Sequence, residues 1–300
     1  MTDPSQQVTL VIPARDAAAT LPACLASLDA LREGPHLARI LVVDDGSRDE
    51  TASVAAQHGV EVLRGEGRGP GAARNQGWRA AQTPWVWFID ADCVAEPDSL
   101  ARLIDHFAAA PASERVAAIG GSYGNMRPDS LLACLIHEEI VARHAHMPAE
   151  VDFLATFNVL YRRCALDEVG GFDERFLKGQ DAELAWRVRR AGWRLRFEPA
   201  SRVAHHHLDR LSSYLSVQRR QGYWRVWLYD TYPEHMGGDH YSSLVDHIQP
   251  VLAMAMIGAL PLAPTPPGLL LEGLLGAALA GCQLPMTAEL LRRTGQPRYL

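Results

Sequence analysis

The chain has 300 residues, 48% of them hydrophobic and 21% charged, which is a globular composition with room for one large α/β domain and an appendage. Its formal net charge of −6 argues against nucleic acid as a partner, because phosphate binding needs a basic surface or stripe. The five cysteines (Cys24, Cys93, Cys134, Cys164, Cys282) lie far apart with no CxxC spacing, which fits neither a disulfide framework nor a zinc ribbon and suits a reducing compartment.

Residues 1–7 are polar and lead straight into an apolar run, without the charged-then-apolar order of a signal peptide. Residues 8–12 read as a strand. Leu21, Leu25, Leu28 and Leu31 recur at helical spacing and predict an amphipathic helix over 18–32. A second strand, 40–43, ends at Asp44-Asp45-Gly46-Ser47. Asp49 is placed to cap a helix over 50–58, which Gly59 ends. Strand 60–63, a glycine-rich loop, helix 72–81, strand 85–89, helix 97–110 and strand 116–119 follow. Alternation of this kind predicts a mainly parallel sheet with helices on both faces. Ligands of such sheets sit beyond the carboxyl ends of the strands. The polar clusters fall at those ends: Arg15-Asp16, Asp44-Asp45 and Asp90/Asp92.

Beyond residue 120 the pattern loosens. Helices are predicted over 131–146 and 181–191, the second stopped by Gly192, and a strand over 193–198. From 211 to 229 the chain reads as an aromatic, basic helix with Arg219, Arg220, Arg225, Trp224 and Trp227. Runs 251–260 and 268–280 are apolar on all sides, parted by Pro261, Pro264, Pro266 and Pro267. Neither run alone reaches the ~20 apolar residues of a usual membrane span. A short membrane hairpin, an interfacial helical pair and a soluble cap all remain open, and all-round apolarity favours membrane contact. The basic helix suits an anionic membrane surface, although a plain solvated face explains it equally.

Strand 85–89 ends in Asp90-Ala91-Asp92. On an extended segment residues two apart point to one side, so both carboxylates would face one site. Carboxylate oxygens are preferred by Mg²⁺ and Mn²⁺, and a simple turn is the bland alternative. Asp44 and Asp45 suit a base edge or a ribose hydroxyl, or the turn chemistry of "DDGS". The loop Gly69-Pro70-Gly71-Ala72-Ala73-Arg74 opens a helix, where backbone N–H groups and a guanidinium attract phosphate. It lacks the Gly-Lys-Ser/Thr of a Walker loop. Asp181 opens a helix and is either a cap, worth about 1 kcal/mol, or a general base. His137, His144 and His146 are expected on an exposed helix face, and His206 and His207 in a loop.

Five segments in order, "VIPARD", "VVDDGSRDET", "GPGAARNQG", "FIDADC" and "GGFDERFLKGQDAELAWRVRRAGW", resemble glycosyltransferase family 2 over roughly residues 8–210. The resemblance implies the GT-A fold, an α/β architecture with a mixed, mainly parallel sheet, here with a helical apolar C-terminal region. The resemblance covers the transferase unit, 1–210, and leaves a helical unit, 211–300, whose all-round apolar runs suit membrane association. It implies an inverting transferase using a nucleotide-diphosphate sugar, most simply a UDP-sugar, and an acceptor hydroxyl of unknown identity. It places Pro13, Arg15, Asp44, Asp45, Arg74, Asn75 and Asp90 around the donor, with Asp45 at the base and Ala73-Arg74-Asn75 beside the diphosphate. It assigns Asp92 and His205, in "SRVAHHH", to Mn²⁺ or Mg²⁺, with Asp90 at the ribose or a metal-bound water. Asp181 becomes the base. The family usually has Glu-Asp here, and Gln180 replaces the Glu, which removes a like charge from beside Asp181. Asn158 is a candidate for the acceptor pocket or a structural loop residue.

"SVQRRQGYW" lacks the spacing of the Gln-x-x-Arg-Trp motif of processive synthases, so single addition is expected. A sugar-1-phosphate nucleotidyltransferase would need a glycine-rich loop with a lysine after the first strand, where this chain has "IPARDAAAT". A non-catalytic membrane-bound module would explain Gln180 but not the retention of Asp90, Asp92, Asp181 and His205. The expected location is cytoplasmic, at the inner face of the cell membrane.

Overall fold

The computed structural model describes residues 4–111, 113–242 and 244–297. The first three residues of the polar start and the last three of the 211–300 region lie outside the described residues. In chain order the elements are β1 (Val8–Ala14), α1 (Leu21–Ala26), α2 (Asp29–Arg32), β2 (Leu37–Asp44), α3 (Thr51–Gln57), β3 (Glu61–Arg64), α4 (Pro70–Ala80), β4 (Trp85–Ile89) and β5 (Cys93–Ala95). There follow α5 (Ser99–Ala109), β6 (Val116–Asn125), α6 (Leu131–Ala145), β7 (Glu150–Val151), β8 (Asn158–Arg162), α7 (Arg163–Val169), α8 (Gln180–Arg190) and β9 (Arg194–His205). Three long helices close the chain: α9 (Leu211–Thr231), α10 (Leu244–Ala259) and α11 (Pro266–Thr294).

The sheet runs β3-β2-β1-β4-β8-β6-β9-β5, with β7 on β9. Pairs β1·β2, β1·β4, β2·β3 and β6·β9 are parallel, and β4·β8, β6·β8, β5·β9 and β7·β9 are antiparallel. Alternate residues of the central strands feed two cores, as the twofold period of a strand requires. Leu10, Ile12, Trp87 and Ile89 pack with Leu21, Leu25, Leu28 and Leu103 on one face. Val11, Val43, Val86 and Phe88 pack with Ala73, Trp78, Leu184 and Val188 on the other. Each such side chain, fully buried, contributes about 1.5–3 kcal/mol. Gly77 sits where α4 meets β1: a Cβ there would stand 2.2 Å from Val11 Cγ1, so only glycine permits that approach.

The expected helix 18–32 is two helices, broken at Ser27, whose hydroxyl bonds the Cys24 carbonyl and accepts the Ala95 N–H. Strands β5, β7 and β8 and helix α7 have no counterpart in the sequence expectation. β9 runs on to His205, well past the expected end at 198. The apolar run 268–280 lies inside the single helix α11 of 29 residues, and Leu244–Leu262 covers 19, so both are long and apolar enough to cross a membrane. α10 and α11 pack together, and leucines such as Leu269, Leu270 and Leu274 face outward. A third apolar cluster, Phe176, Ala182, Trp186 and Leu228, docks α9 on α8.

Candidate active site

Four strand ends set the site. β1 ends at Ala14, paired with Asp44 of β2, and β4 delivers Asp90. The segment after β4 is not extended. The Cys93 N–H returns to the Asp90 carbonyl at 3.0 Å, closing a turn, so the shared-side argument for Asp90 and Asp92 does not hold. The turn sends the two carboxylates to different partners. Asp90 Oδ1 accepts from Arg74 Nη2 at 2.6 Å. Asp92 Oδ2 lies 3.3 Å from His205 Nε2. Short strand β5 makes the second pairing possible, because Cys93 is the register partner of His205 on β9.

Asp92, Cys93 and His205 each offer an atom within 4.8 Å of the others, the cluster that could hold a cation. A carboxylate and an imidazole suit Mn²⁺ or Mg²⁺. Burial pushes the Cys93 thiol well above its ordinary value, so it stays protonated and is a poor partner for a hard ion. Burial opposes ionisation of Asp92, but the His205 hydrogen bond and charge hold its carboxyl below the usual range. Burial likewise works to lower His205, while Asp92 and then Asp90 raise it. Asp92 remains 41% exposed, which leaves room for ligand oxygens. The residues present therefore fit a divalent ion.

Beside this pair, His205 Nδ1 meets His207 Nδ1 at 3.1 Å. His207 is buried, and burial pushes its pKa down to about 3, so its ring is neutral. The ring of Tyr123 stands edge-on to both imidazoles. His207 is a residue that sequence reasoning left in a loop. It does lie past the end of β9, and a tight turn closed by its own N–H on the His205 carbonyl at 3.0 Å brings the two rings together, which a linear pattern does not show.

Arg74, in α4, is 3% exposed. Only Nη2 has a partner; Nε and Nη1 are buried and meet no acceptor among the described residues. Its charge also acts on Asp181, at the start of α8. Asp181 is partly exposed, its carboxylate accepts the Ala182 N–H at 3.0 Å, and burial raises its pKa. Arg74 and the helix-terminal N–H groups pull it back, and Asp90 adds a smaller push upward. Burial, not the loss of a like charge at Gln180, therefore sets the direction. Gln180 itself is buried, and its Oε1 has no partner among the described residues.

The remaining expected residues divide. Asp45 Oδ2 accepts the Gly69 N–H at 2.8 Å and lies 3.9 Å from Arg15 Nη1, which also reaches the Gly67 carbonyl. Gly69 takes φ +104, and a Cβ there would meet Leu177 Cδ2 at 2.5 Å, so the loop before α8 folds directly over it. Pro13 is partly exposed near the end of β1. Asp44 is buried and fully engaged, accepting from Ser47 N–H at 3.0 Å and Arg64 Nη1 at 2.6 Å. Asn75 is likewise engaged: its amide donates to the Phe172 carbonyl and Glu174, and accepts from Phe172 N–H and Trp78 Nε1. Both carry turn and packing duties. Asn158 is a strand residue, completely buried, accepting from Trp87 Nε1 and donating to Ser201. It does not line a pocket. His144 is buried against Ser122 Oγ at 2.8 Å, contrary to the exposed face expected, whereas His146 is exposed. A cleft of about 280 Å³ opens between the loop before α8 and α9, lined by Arg175, Phe176, Tyr223, Trp224, Trp227 and Thr231.

A mixed sheet with this order, carboxylates beyond its strand ends and a carboxylate at the start of α8 define a GT-A fold. Residues 9–170 match the sequence model of glycosyl transferase family 2, and the chain belongs to that family. It is 34% identical over 221 residues to the pre-mycofactocin glycosyltransferase of Mycobacterium tuberculosis, covering 70% of this chain and 45% of that protein. It is 33% identical over 195 residues to the succinoglycan biosynthesis protein ExoU of Rhizobium meliloti, covering 59% of this chain and 55% of that protein. The chain thus spans about half the length of these relatives. Among solved structures it is similar to a mannosyltransferase from Pyrobaculum calidifontis in complex with GDP-Man and Mn²⁺ (TM-score 0.54, 19% identity, 95% of this chain and 88% of that one). It is also similar to mannosyl-3-phosphoglycerate synthase from Rubrobacter xylanophilus (TM-score 0.51, 19% identity, 76% and 75%). At these identities the likeness is one of fold.

Proposed function

We propose that the chain transfers a sugar from a nucleotide-diphosphate donor to an acceptor hydroxyl, one residue at a time and with inversion, with the help of a divalent ion. The observation that carries this reading is the pairing of Asp92 with His205 at 3.3 Å and of Asp90 with Arg74 at 2.6 Å beyond the strand ends, with Asp181 opening α8 within reach of the Arg74 charge. Asp45 accepts a base N–H, with Arg15 beside it on the open side of the site. Asp92 and His205 would hold Mn²⁺ or Mg²⁺, and such an ion would supply positive charge against the diphosphate leaving group. Asp181 orients the acceptor hydroxyl and takes its proton at a carboxylate oxygen. The acceptor oxygen attacks the anomeric carbon from the face opposite the nucleoside diphosphate, so that carbon inverts. Arg74 stays beneath the site: it is bonded to Asp90, and its charge opposes the burial that raises the pKa of Asp181. The aromatic cleft beside α8 is the surface we assign to the acceptor.

We divide the chain at residue 210, with 1–210 as the transferase unit and 211–300 as a helical unit at the inner face of the cell membrane. Support for the second half is the length and outward apolarity of α10 and α11. UDP-sugars are the first donors to try, and GDP-sugars the second, since the Pyrobaculum mannosyltransferase holds GDP-Man. The test is Asp181→Asn, whose kcat falls while donor binding persists; transfer at the wild-type rate would remove Asp181 as the base.

A further inference from the structure

The two imidazoles at the end of β9 meet nitrogen to nitrogen, His205 Nδ1 to His207 Nδ1 at 3.1 Å. A hydrogen bond between two imidazole nitrogens needs one proton on that line, so one of the two Nδ1 atoms carries it and the other accepts it. The other nitrogen of His205, Nε2, faces Asp92 Oδ2 at 3.3 Å. A metal ligand must present a lone pair, so His205 can bind a cation through Nε2 only when its proton is on Nδ1. That proton then needs an acceptor, and His207 Nδ1 is the atom in reach.

From this geometry we infer that His207 is a positioning residue, which holds His205 in the Nδ1-protonated tautomer and so aims the Nε2 lone pair at a divalent cation beside Asp92. The inference rests on the metal reading above and adds to it the residue that prepares the ligand. Three further observations support it. His207 is only 3% exposed, so water does not compete for its Nδ1. Its ring is held edge-on by Tyr123 and lies 5.5 Å, centroid to centroid, from His137 of α6. Its own Nε2 is buried with no partner among the described residues, so packing alone, not a second hydrogen bond, fixes the ring. A buried imidazole with a single polar contact is costly as mere filler. Partners of this kind, one step behind a metal-binding histidine, typically change metal affinity 10–100-fold when removed.

The test measures Mn²⁺ affinity of the full chain, from the electron paramagnetic resonance signal of free Mn²⁺, with no turnover involved. His207→Phe keeps an aromatic ring but removes the acceptor, and is expected to weaken Mn²⁺ binding about 10–100-fold. His207→Asn offers an amide oxygen near the place of Nδ1 and is expected to recover most of that loss. Wild-type affinity in His207→Phe, or an equal loss in both variants, would overturn the proposal. His205→Ala separates the two readings: if it binds Mn²⁺ as the wild type does, the metal site itself is wrong. Should His207→Phe fail to fold, nitrogen-15 NMR of the wild type with Mg²⁺ reads the tautomer directly. A proton on His205 Nδ1 supports the proposal, and one on Nε2 overturns it.

Discussion

Arg74 acts on two carboxylates: it is bonded to Asp90 at 2.6 Å, and its charge lowers the pKa of Asp181 against burial. This gives two predictions that separate charge from contact. Asp181→Asn keeps the shape and removes the carboxylate proposed as base, so kcat is expected to fall by about 10²–10⁴ with donor KM nearly unchanged; steady-state kinetics across donor concentrations checks this. Arg74→Gln removes the charge that opposes burial at Asp181. The folded pKa of Asp181 is already raised by burial, and without Arg74 it rises further. A base works only when deprotonated, so activity is lost as pH falls through that pKa. The acid limb of the kcat profile should therefore move to higher pH in Arg74→Gln, and an unmoved limb would show that Arg74 does not act on Asp181. Sequence motifs single these residues out but do not show their partners. Asp45 and Arg74 stood out by motif, yet nothing in a linear chain shows that Asn75, Asp44 and Asn158 spend all or nearly all of their hydrogen bonds on the protein itself.

At the scale of elements, the missed pieces are short or antiparallel. β5 has three residues and β7 two, too few for a periodic signal, yet β5 is what brings Asp92 to His205. β8 is only five residues, and four of them (Asn158 to Tyr161) are buried, so no polar alternation marks it. The first half of the sheet was legible because β1, β2 and β3 carry apolar residues and are each followed by a helix, the alternation that marks a parallel sheet. β8 also supplies a stability prediction. Asn158→Ala strands the Trp87 N–H and Ser201, and should destabilise the protein by about 1–3 kcal/mol in urea unfolding. Acceptor KM should stay the same; a raised KM at unchanged stability would return Asn158 to the acceptor pocket.

Over the whole molecule, a buried two-sided sheet is joined to a helical pair whose outer surface is apolar. Leu269, Leu270 and Leu274 are 64%, 66% and 62% exposed, more apolar surface than a water-facing helix usually shows in one place. The chain should float with vesicles containing anionic lipid, and changing these three leucines to Ser should return part of it to the soluble fraction. A chain that stays soluble with and without vesicles would instead point to a protein partner for this face. The most direct test of the central claim is release of nucleoside diphosphate from UDP-, GDP- and dTDP-sugars, with Mn²⁺ or with chelator, by the wild type and Asp92→Ala. The account predicts turnover of one donor class that needs the ion and is lost in Asp92→Ala. Equal turnover in chelator and in Asp92→Ala would contradict it.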